Sequence, residues 1–308
     1  MPRGPCSRRP SRRFPSAFSR RTGRNEAFNH AGNAFAALLI AGTALLWGPV
    51  AVFPILAGMA IASLIATLAI PPDEIDHDLA RGFRAEQEAE GRDQPSGLRV
   101  LLECRPLLMF AACVLLFHLA NAAMLPLVGQ KLALQNRNEG TALMSACIIA
   151  AQIVMVPMAM LVGAKADAWG RKPIFLAGFA ILPIRGVLYT LSDDPYWLVG
   201  VQLLDGVGAG IFGALFPIVV ADLTRGTGRF NVSQGAVATA QGIGASLSNT
   251  LAGFIVAKAG FGTAFLSLGA IAAAALLLFW LTVPETRGSL RTVERDDAEA
   301  APLGAAAE

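Results

Sequence analysis

Residues 163–173 read GAKADAWGRKP, a short charged stretch between two strongly apolar parts of the chain. No Asp, Glu, Lys or Arg occurs in residues 141–162 before it, and residues 173–191 after it contain one, Arg185. An apolar window of roughly 20 residues is long enough to cross the hydrocarbon layer of a bilayer as a helix. The stretch therefore predicts a brief polar turn between two membrane-spanning helices.

The composition of the whole chain supports this interpretation. Hydrophobic residues make up 54% of the 308 residues and charged residues only 15%, whereas soluble domains carry about 25% charged residues. In lipid a backbone has to satisfy its own hydrogen bonds, which a helix does, and the short alternating segments of a membrane β-barrel are missing from the sequence. The predicted fold class is an all-α polytopic membrane protein.

We predict about eight transmembrane helices. Their ranges are residues 28–47, 49–70, 106–128, 141–162, 173–191, 196–221, 232–257 and 261–283. The first two meet in a very tight turn at Gly48 and Pro49.

The basic residues predict the orientation of these helices. Of the 25 lysines and arginines, only Lys131, Arg137 and Lys258 fall on one side of the predicted membrane, Arg185 falls inside a span, and the others fall on the opposite side. Positive charge is retained in the cytoplasm, so both termini are expected there. The net charge of +3 reflects this arrangement and predicts no nucleic-acid partner.

Polar segments divide the chain into five parts. Residues 1–25 form a basic segment, expected to be a disordered tail or a misannotated start, and residues 26–70 hold two helices. Residues 71–99 are an acidic and polar cytoplasmic linker, and residues 100–285 hold six helices. Residues 286–308 have the composition of a disordered cytoplasmic tail.

The opening stretch has the pattern Gly-x-x-x-Asp-x-x-Gly-Arg-Lys, given by Gly163, Asp167, Gly170, Arg171 and Lys172. Glycines allow the chain to reverse tightly, and an aspartate can face a helix N-terminus or one of the cations. Any short cytoplasmic loop attracts Lys and Arg, so a plain charged turn is the alternative. Five matches at the right spacing favour a specific gating loop, here called the signature loop (residues 163–172).

The signature loop resembles that of the major facilitator superfamily of membrane transporters. Residues 284–288, Pro-Glu-Thr-Arg-Gly, are similar to the ending found after the final helix in several branches of this family. Residues 202–217 resemble its glycine-rich helix with the pattern Arg-x-x-Gln-Gly. In this chain Gln202 and Asp205 replace the arginine and glutamine, and Gly206 matches.

The resemblance implies twelve helices in two halves of six, whereas two plus six are predicted. Residues 28–70 then correspond to the fifth and sixth helices, and residues 106–283 to a complete second half. An internal repeat agrees with this, because Gly48 to Phe53 and Gly260 to Phe265 lie 212 positions apart at both ends. Repeated halves are typical of transporters. We therefore expect a partial fold, truncated at the N-terminus and lacking part of its N-terminal half.

The resemblance also implies secondary active transport of a small solute by alternating access. Cavity helices with few polar groups favour proton-coupled efflux of an amphipathic compound, with the bilayer, the solute and H⁺ as partners and no cofactor. The expected location is the bacterial cytoplasmic (inner) membrane. The alternative is a non-transporting fragment or an interaction partner of another membrane protein. An enzyme is not expected, because the sequence has no His-Glu-x-x-His pair, nucleophile elbow or phosphate loop.

Polar residues inside the spans are the candidates for a substrate or proton pathway, since ionisable groups there cost ~3 kcal/mol on insertion scales. They are Asp205, His118, Asn121, Gln152, Gln202, Gln241 and Asn249. Asp205 could instead be a partner that holds helices together, His118 a neutral hydrogen-bonding residue, and the amides contacts between helices. No metal site is predicted.

Two contacts are predicted between these elements. Arg185 and Asp205 are expected at similar depths, differing by roughly 5 Å at 1.5 Å per residue, so that Arg185 either pairs with Asp205 or extends towards the membrane surface. If they pair, Asp205 is less suited to carry protons. The family resemblance also implies that Asp167 and Arg171 contact the start of the first predicted helix, with Glu26 as the partner of Arg171.

Overall fold

A computed structural model describes residues 16–48, 50, 52–72, 104–135, 140–224 and 229–286. These residues are almost entirely helical, which confirms the all-α class. The helices are α1 (Ser16–Trp47), α2 (Val52–Leu68), α3 (Arg105–Asn121), α4 (Met124–Gln135), α5 (Gly140–Trp169), α6 (Arg171–Leu188), α7 (Pro195–Leu223) and α8 (Phe230–Thr282).

Within the described residues, four helical stretches are long and apolar enough to cross a membrane. They are Arg105–Gln135, Ala142–Trp169, Pro195–Leu223 and Phe230–Thr282, and a shorter apolar helix covers Val52–Leu68. The polytopic membrane character is therefore confirmed, while the number of eight spans, the two-plus-six division and the location of the termini stay predictions. Residues 73–99 of the predicted linker and residues 287–308 of the predicted tail lie outside the described residues.

Helix α1 begins earlier than the sequence predicted. Residues 16–25, assigned to a disordered tail, form its first turns, which corrects that part of the prediction; residues 1–15 lie outside the described residues. The physical reason is packing against α5, where a Cβ at Gly23 would lie only 2.6 Å from Cα of Gly163. Two glycines let these helix backbones approach closely enough to order the basic segment.

The predicted span at residues 106–128 is interrupted. Helix α3 ends at Asn121 and α4 begins at Met124, while Arg105–Gln135 as a whole is long and apolar enough to cross a membrane. The backbone N–H of Ala123, in the intervening turn, donates to Oγ of Ser248 at 3.0 Å. A serine on α8 thereby satisfies a donor that the break would otherwise leave unpaired in an apolar region.

The two turns of the predicted internal repeat share one backbone conformation. Gly48 follows α1 with a φ of 81°, and Gly260 has a φ of 82° where α8 kinks. This left-handed region is one that glycine adopts readily and other residues adopt at a cost. The kink divides α8 close to residues 257–261, where two separate spans were predicted.

The core of the described bundle lies among α3, α4, α5, α6, α7 and α8, and α1 contributes Ala27. Its centre is a group of stacked and edge-to-face phenylalanine rings, namely Phe110, Phe117, Phe175, Phe179, Phe212, Phe216 and Phe279. Helix α2 differs, because none of its described side chains is buried.

The α1–α5 contact can be tested by adding a methyl group on either side of α1. We expect Gly23→Ala to destabilise the protein by about 1–3 kcal/mol, the usual cost of overpacking. Gly32→Ala is the matched control, since nothing lies within 4 Å of a Cβ there and alanine favours a helix over glycine by ~1 kcal/mol. Thermal unfolding of both purified variants in detergent measures the difference, and equal loss of stability would contradict the close contact.

Candidate functional site

The signature loop is held by Arg171, whose guanidinium lies between two carboxylates. Its Nη2 lies 2.7 Å from Oδ1 of Asp167, one turn earlier, and its Nε donates to Oδ2 of Asp222 on α7 at 3.0 Å. Its Nη1 donates to the carbonyl oxygen of Ala166 at 3.1 Å. Because Arg171 is only 7% exposed, these bonds are shielded from water and fix the ends of α5, α6 and α7 together.

The segment after the last helix closes the same end of the bundle, here called the Arg171 end (residues Asp167, Arg171, Asp222 and Glu285). The carboxylate of Glu285 accepts from the backbone N–H groups of Arg171 at 2.9 Å and Lys172 at 3.1 Å. An anion at the start of α6 satisfies free N–H groups and complements the helix dipole. Thr286 adds a bond from its Oγ1 to Asp222 at 3.1 Å. Two residues of the segment 284–288, whose sequence is similar to the ending of the family, therefore hold the end of the bundle together: Glu285 binds the start of α6 and Thr286 binds Asp222.

Gly170 is the loop glycine with a required conformation. Its φ is 94°, and a Cβ there would lie 2.7 Å from Oε2 of Glu285. Both the backbone angle and the close carboxylate therefore favour glycine at this position.

Helix α1 contacts the signature loop through a residue that the sequence analysis did not identify. Oγ of Ser19 donates to Oδ1 of Asp167 at 3.1 Å, one turn below the Gly23–Gly163 approach. The expected Arg171–Glu26 pair is wrong, because Arg171 is paired with Asp167 and Asp222. Glu26 lies further along α1, beside His30. The contact with α1 was predicted, but its partner follows from where α1 begins, which hydropathy placed too late.

A second arginine is buried inside the bundle. Nη1 of Arg185 donates to Oδ1 of Asp205 at 2.5 Å and to Oδ1 of Asn121 at 2.9 Å, and its Nη2 donates to Oη of Tyr189 at 3.2 Å. Gln202 joins them, accepting from Tyr189 at 2.5 Å and donating to Asp205 at 2.9 Å. These five side chains form the Arg185 network.

The Arg185 network connects α3, α6 and α7 near the middle of the bundle. Arg185 lies about 21 Å from Arg171 along α6, and Asp205 about 25 Å from Asp222 along α7, at 1.5 Å per residue. Arg185 is 2% exposed and Gln202 fully buried. The structure therefore brings together four residues named from the sequence and adds Tyr189, one turn after Arg185. The carboxylate of Asp205 is held by both Arg185 and Gln202.

His118 lies outside this network although it is three residues from Asn121. Its Nδ1 lies 3.0 Å from the carbonyl oxygen of Val114, and its ring packs at 5.3 Å from Phe117 and 4.8 Å from Phe212. An imidazole that is hydrogen-bonded to its own helix and packed against phenylalanine rings fits the alternative given above, in which His118 is a neutral hydrogen-bonding residue.

The remaining amide candidates lie apart from the Arg185 network. Oε1 of Gln152 on α5 lies 3.0 Å from Nδ1 of His30 on α1. Asn249 on α8 is exposed and donates to the carbonyl of Ala245 at 3.3 Å, and Gln241 is partly exposed on the same helix. His30 was not identified from the sequence, because it stood beside the predicted start of the first span. In the described part of the chain, no group of three His, Cys, Asp or Glu residues could hold a metal ion.

Comparison with known proteins supplies the family. The family model of the Major Facilitator Superfamily matches residues 10–184 and 141–306. Two proteins named as MFS-type transporters, from the CDC 1551 / Oshkosh and ATCC 25618 / H37Rv strains of Mycobacterium tuberculosis, are each 65% identical to this chain over 272 residues. The matched region is 88% of this chain and 65% of each relative, so the chain spans about two thirds of their length.

The Arg185–Asp205 pair can be tested by removing each charge and then both. Arg185→Gln or Asp205→Asn leaves one buried charge unpaired, so each is expected to destabilise the protein by about 3–5 kcal/mol. The double variant leaves no net charge and should cost clearly less than the sum of the two. Thermal unfolding in detergent measures all three.

The pair of Lys131 and Asp193 is the matched control for this cycle. The side chain of Lys131 is 11% exposed and that of Asp193 is 73% exposed. Because the carboxylate faces water, the pair is screened and is expected to contribute about 0–1 kcal/mol. Lys131→Gln and Asp193→Asn should therefore have small effects. Strictly additive losses for Arg185 and Asp205 would contradict their interaction.

Proposed function

The chain belongs to the major facilitator superfamily, and from this membership we propose that it moves a small solute across a membrane by secondary active transport. The Arg185 network is the observation that carries the proposal. The network places five polar side chains on three apolar helices, namely an arginine, an aspartate, a glutamine, a tyrosine and an asparagine. Burying such side chains in a bilayer costs free energy, and residues of this kind usually have a function there. Polar groups near the midplane are where transporters of this architecture bind solute.

The Arg171 end supports alternating access as the mechanism. Helix α1 belongs to the first predicted half, and it meets the signature loop of the other half through Ser19 and Asp167. In alternating access the two halves rock against each other, so this hydrogen bond has to break whenever the Arg171 end opens. Asp167 is shared between Ser19 and Arg171, which couples the α1 contact to the ion pairs that hold α6 and α7.

The direction and driving force are part of the proposal. The buried hydrophobic core of the described bundle is made largely of aliphatic and phenylalanine side chains, which suit an amphipathic compound better than a sugar. We propose proton-coupled efflux through the cytoplasmic membrane of a bacterium, with the Arg171 end in the cytoplasm. The last point follows from the distribution of basic residues.

A second candidate function is that of an interaction partner of another membrane protein. Helix α2 favours it, since none of its described side chains is buried. A further set of membrane helices could cover this surface.

Transport by the full chain in proteoliposomes distinguishes the two candidates, with ethidium as a fluorescent amphipathic cation. For transport, we expect ethidium to move when a pH gradient is imposed and Asp167→Asn to slow it at least tenfold. Loss of a charged hydrogen bond costs about 1.5–3 kcal/mol, and each ~1.4 kcal/mol is a factor of ten.

Asp193→Asn serves as the control, because it neutralises an aspartate at the opposite end that pairs with Lys131. Its rate should match that of the unmodified chain. No ethidium movement above that of empty vesicles would favour the interaction partner. Equal rates for Asp167→Asn and Asp193→Asn would remove the signature loop from the mechanism.

A further inference from the structure

A group of polar side chains on α1 faces α5 and α7. Nδ1 of His30 lies 3.0 Å from Oε1 of Gln152 on α5, and its Nε2 lies 3.9 Å from Oε2 of Glu26, one turn earlier on α1. Nδ2 of Asn29 donates to the same oxygen of Glu26 at 3.2 Å. We call these four side chains the Glu26–His30 group.

The group packs on α7 at a glycine. A Cβ at Gly213 would lie 3.2 Å from Oε2 of Glu26 and 3.7 Å from Nε2 of His30, so both titratable side chains meet the α7 backbone. Gly213 lies about 14 Å from Asp222 along α7, and Gln152 about 22 Å from Asp167 along α5. Against a hydrocarbon layer of about 30 Å, the group lies near mid-depth, between α1 and the six-helix half.

The hydrogen bond to Gln152 determines which nitrogen of His30 is free. In this orientation Oε1 of Gln152 can only accept, so Nδ1 of His30 donates. In the neutral ring Nε2 then carries a lone pair, and it is buried without a hydrogen-bond partner among the described residues. The residue is 8% exposed. Nε2 of His30 is thus a buried acceptor without a partner, 3.9 Å from the carboxylate of Glu26, and it can bind a proton.

Other charged groups near α1 are engaged elsewhere or lie towards the ends of their helices. The described part of α2 contains no Asp, Glu, Lys, Arg or His. On α5 and α7 the titratable groups are Cys147, Lys165, Asp167, Tyr196, Asp205 and Asp222. Asp167 and Asp222 pair with Arg171, and Asp205 pairs with Arg185. On α1 itself the other charged residues are Arg20, Arg21 and Arg24, which precede Glu26 towards the N-terminal end of the helix. The contact within the Glu26–His30 group, between Nε2 of His30 and Oε2 of Glu26, joins an imidazole to a carboxylate.

Protonation changes the charge of the group in a favourable direction. With His30 neutral and Glu26 ionised, the group carries one negative charge in a region of low polarity, which is costly. A proton on Nε2 turns it into an imidazolium–carboxylate pair with no net charge. Imidazole changes charge between about pH 5 and 8, the range in which a cellular proton gradient operates.

We propose that Glu26 and His30 form the proton-binding site of the transport cycle. The role of this site in coupling rests on the proposed function. A proton from water on the outer side adds to the lone pair on Nε2 of His30 and is held against Glu26. It returns to water on the other side when α1 separates from α7. No other bond forms or breaks.

Histidine-selective ¹⁵N NMR of the full chain in detergent tests the site without any solute. Only three histidines occur, so His77→Gln and His118→Gln assign the His30 signals by elimination. We expect the Nδ1–H tautomer of His30 at high pH and a doubly protonated ring at low pH. Glu26→Gln removes the carboxylate against which the added proton is held, so the doubly protonated ring of His30 should be less populated in this variant than in the unmodified chain at the same pH.

Asn33→Ala, an exposed position on the same helix, is the matched control and should leave the population of the doubly protonated ring unchanged. A ring that stays neutral over the whole range in the unmodified chain would overturn the proposal without any substitution in the group. An unchanged population of the doubly protonated ring in a folded Glu26→Gln variant would also overturn it. Should that variant not fold, Glu26→Asp keeps the charge on a shorter side chain and should retain only part of the doubly protonated population of His30.

Transport in proteoliposomes tests the coupling role separately. His30→Gln is expected to lose ethidium movement driven by a pH gradient and to retain ethidium exchange at equal pH on both sides. Equal loss of both activities would overturn the coupling role. If the unmodified chain moves no ethidium while the NMR titration behaves as expected, the proton site stands and the proposed function fails.

Discussion

An arginine buried in an apolar helix bundle needs hydrogen-bond acceptors from the residues around it. This constraint shapes the structure at two depths, at the Arg171 end and at the Arg185 network. Arg171 draws Asp167, Asp222 and the carbonyl of Ala166 around it at one end, and Arg185 draws Asp205, Tyr189 and Asn121 around it near the middle. Because both arginines are on α6, the relative positions of α6 and α7 are specified twice. Apolar packing alone tolerates sliding, whereas two directional charge pairs on the same two helices define one register.

Glycine performs the complementary task, since it determines where backbones can meet or turn. Gly23 and Gly163 bring α1 against α5, and without this approach Ser19 could not reach Asp167. Gly48 and Gly260 adopt nearly the same left-handed φ, at positions that the sequence repeat relates. A shared backbone angle is more specific than a shared glycine, because glycine is common in membrane helices. Both turns of the repeat therefore use a backbone angle that glycine adopts readily.

The sequence predicted the parts of the structure that follow from composition and simple geometry. The helical membrane class, the turn at the signature loop and the similar depths of Arg185 and Asp205 all follow from apolar windows and from the rise of a helix. Three features could not be predicted from the sequence. They are the start of α1, the break at Ala122–Ala123, and the contact between Glu285 and the first N–H groups of α6. Each of these depends on a neighbour distant in the chain, Gly163, Ser248 or Arg171, which a local window does not include.

The two polar groups inside the bundle, the Arg185 network and the Glu26–His30 group, differ in whether their cation can lose its proton. In the Arg185 network the cation is a guanidinium, which keeps its proton at any physiological pH. In the Glu26–His30 group both charged members can lose or gain a proton, and the group joins α1 to α5 and α7 across the contact that alternating access would open. A permanent ion pair suits the interior of a half that moves as one body, and a titratable pair suits the surface between two bodies, because only there does a change in charge alter how the bodies hold together.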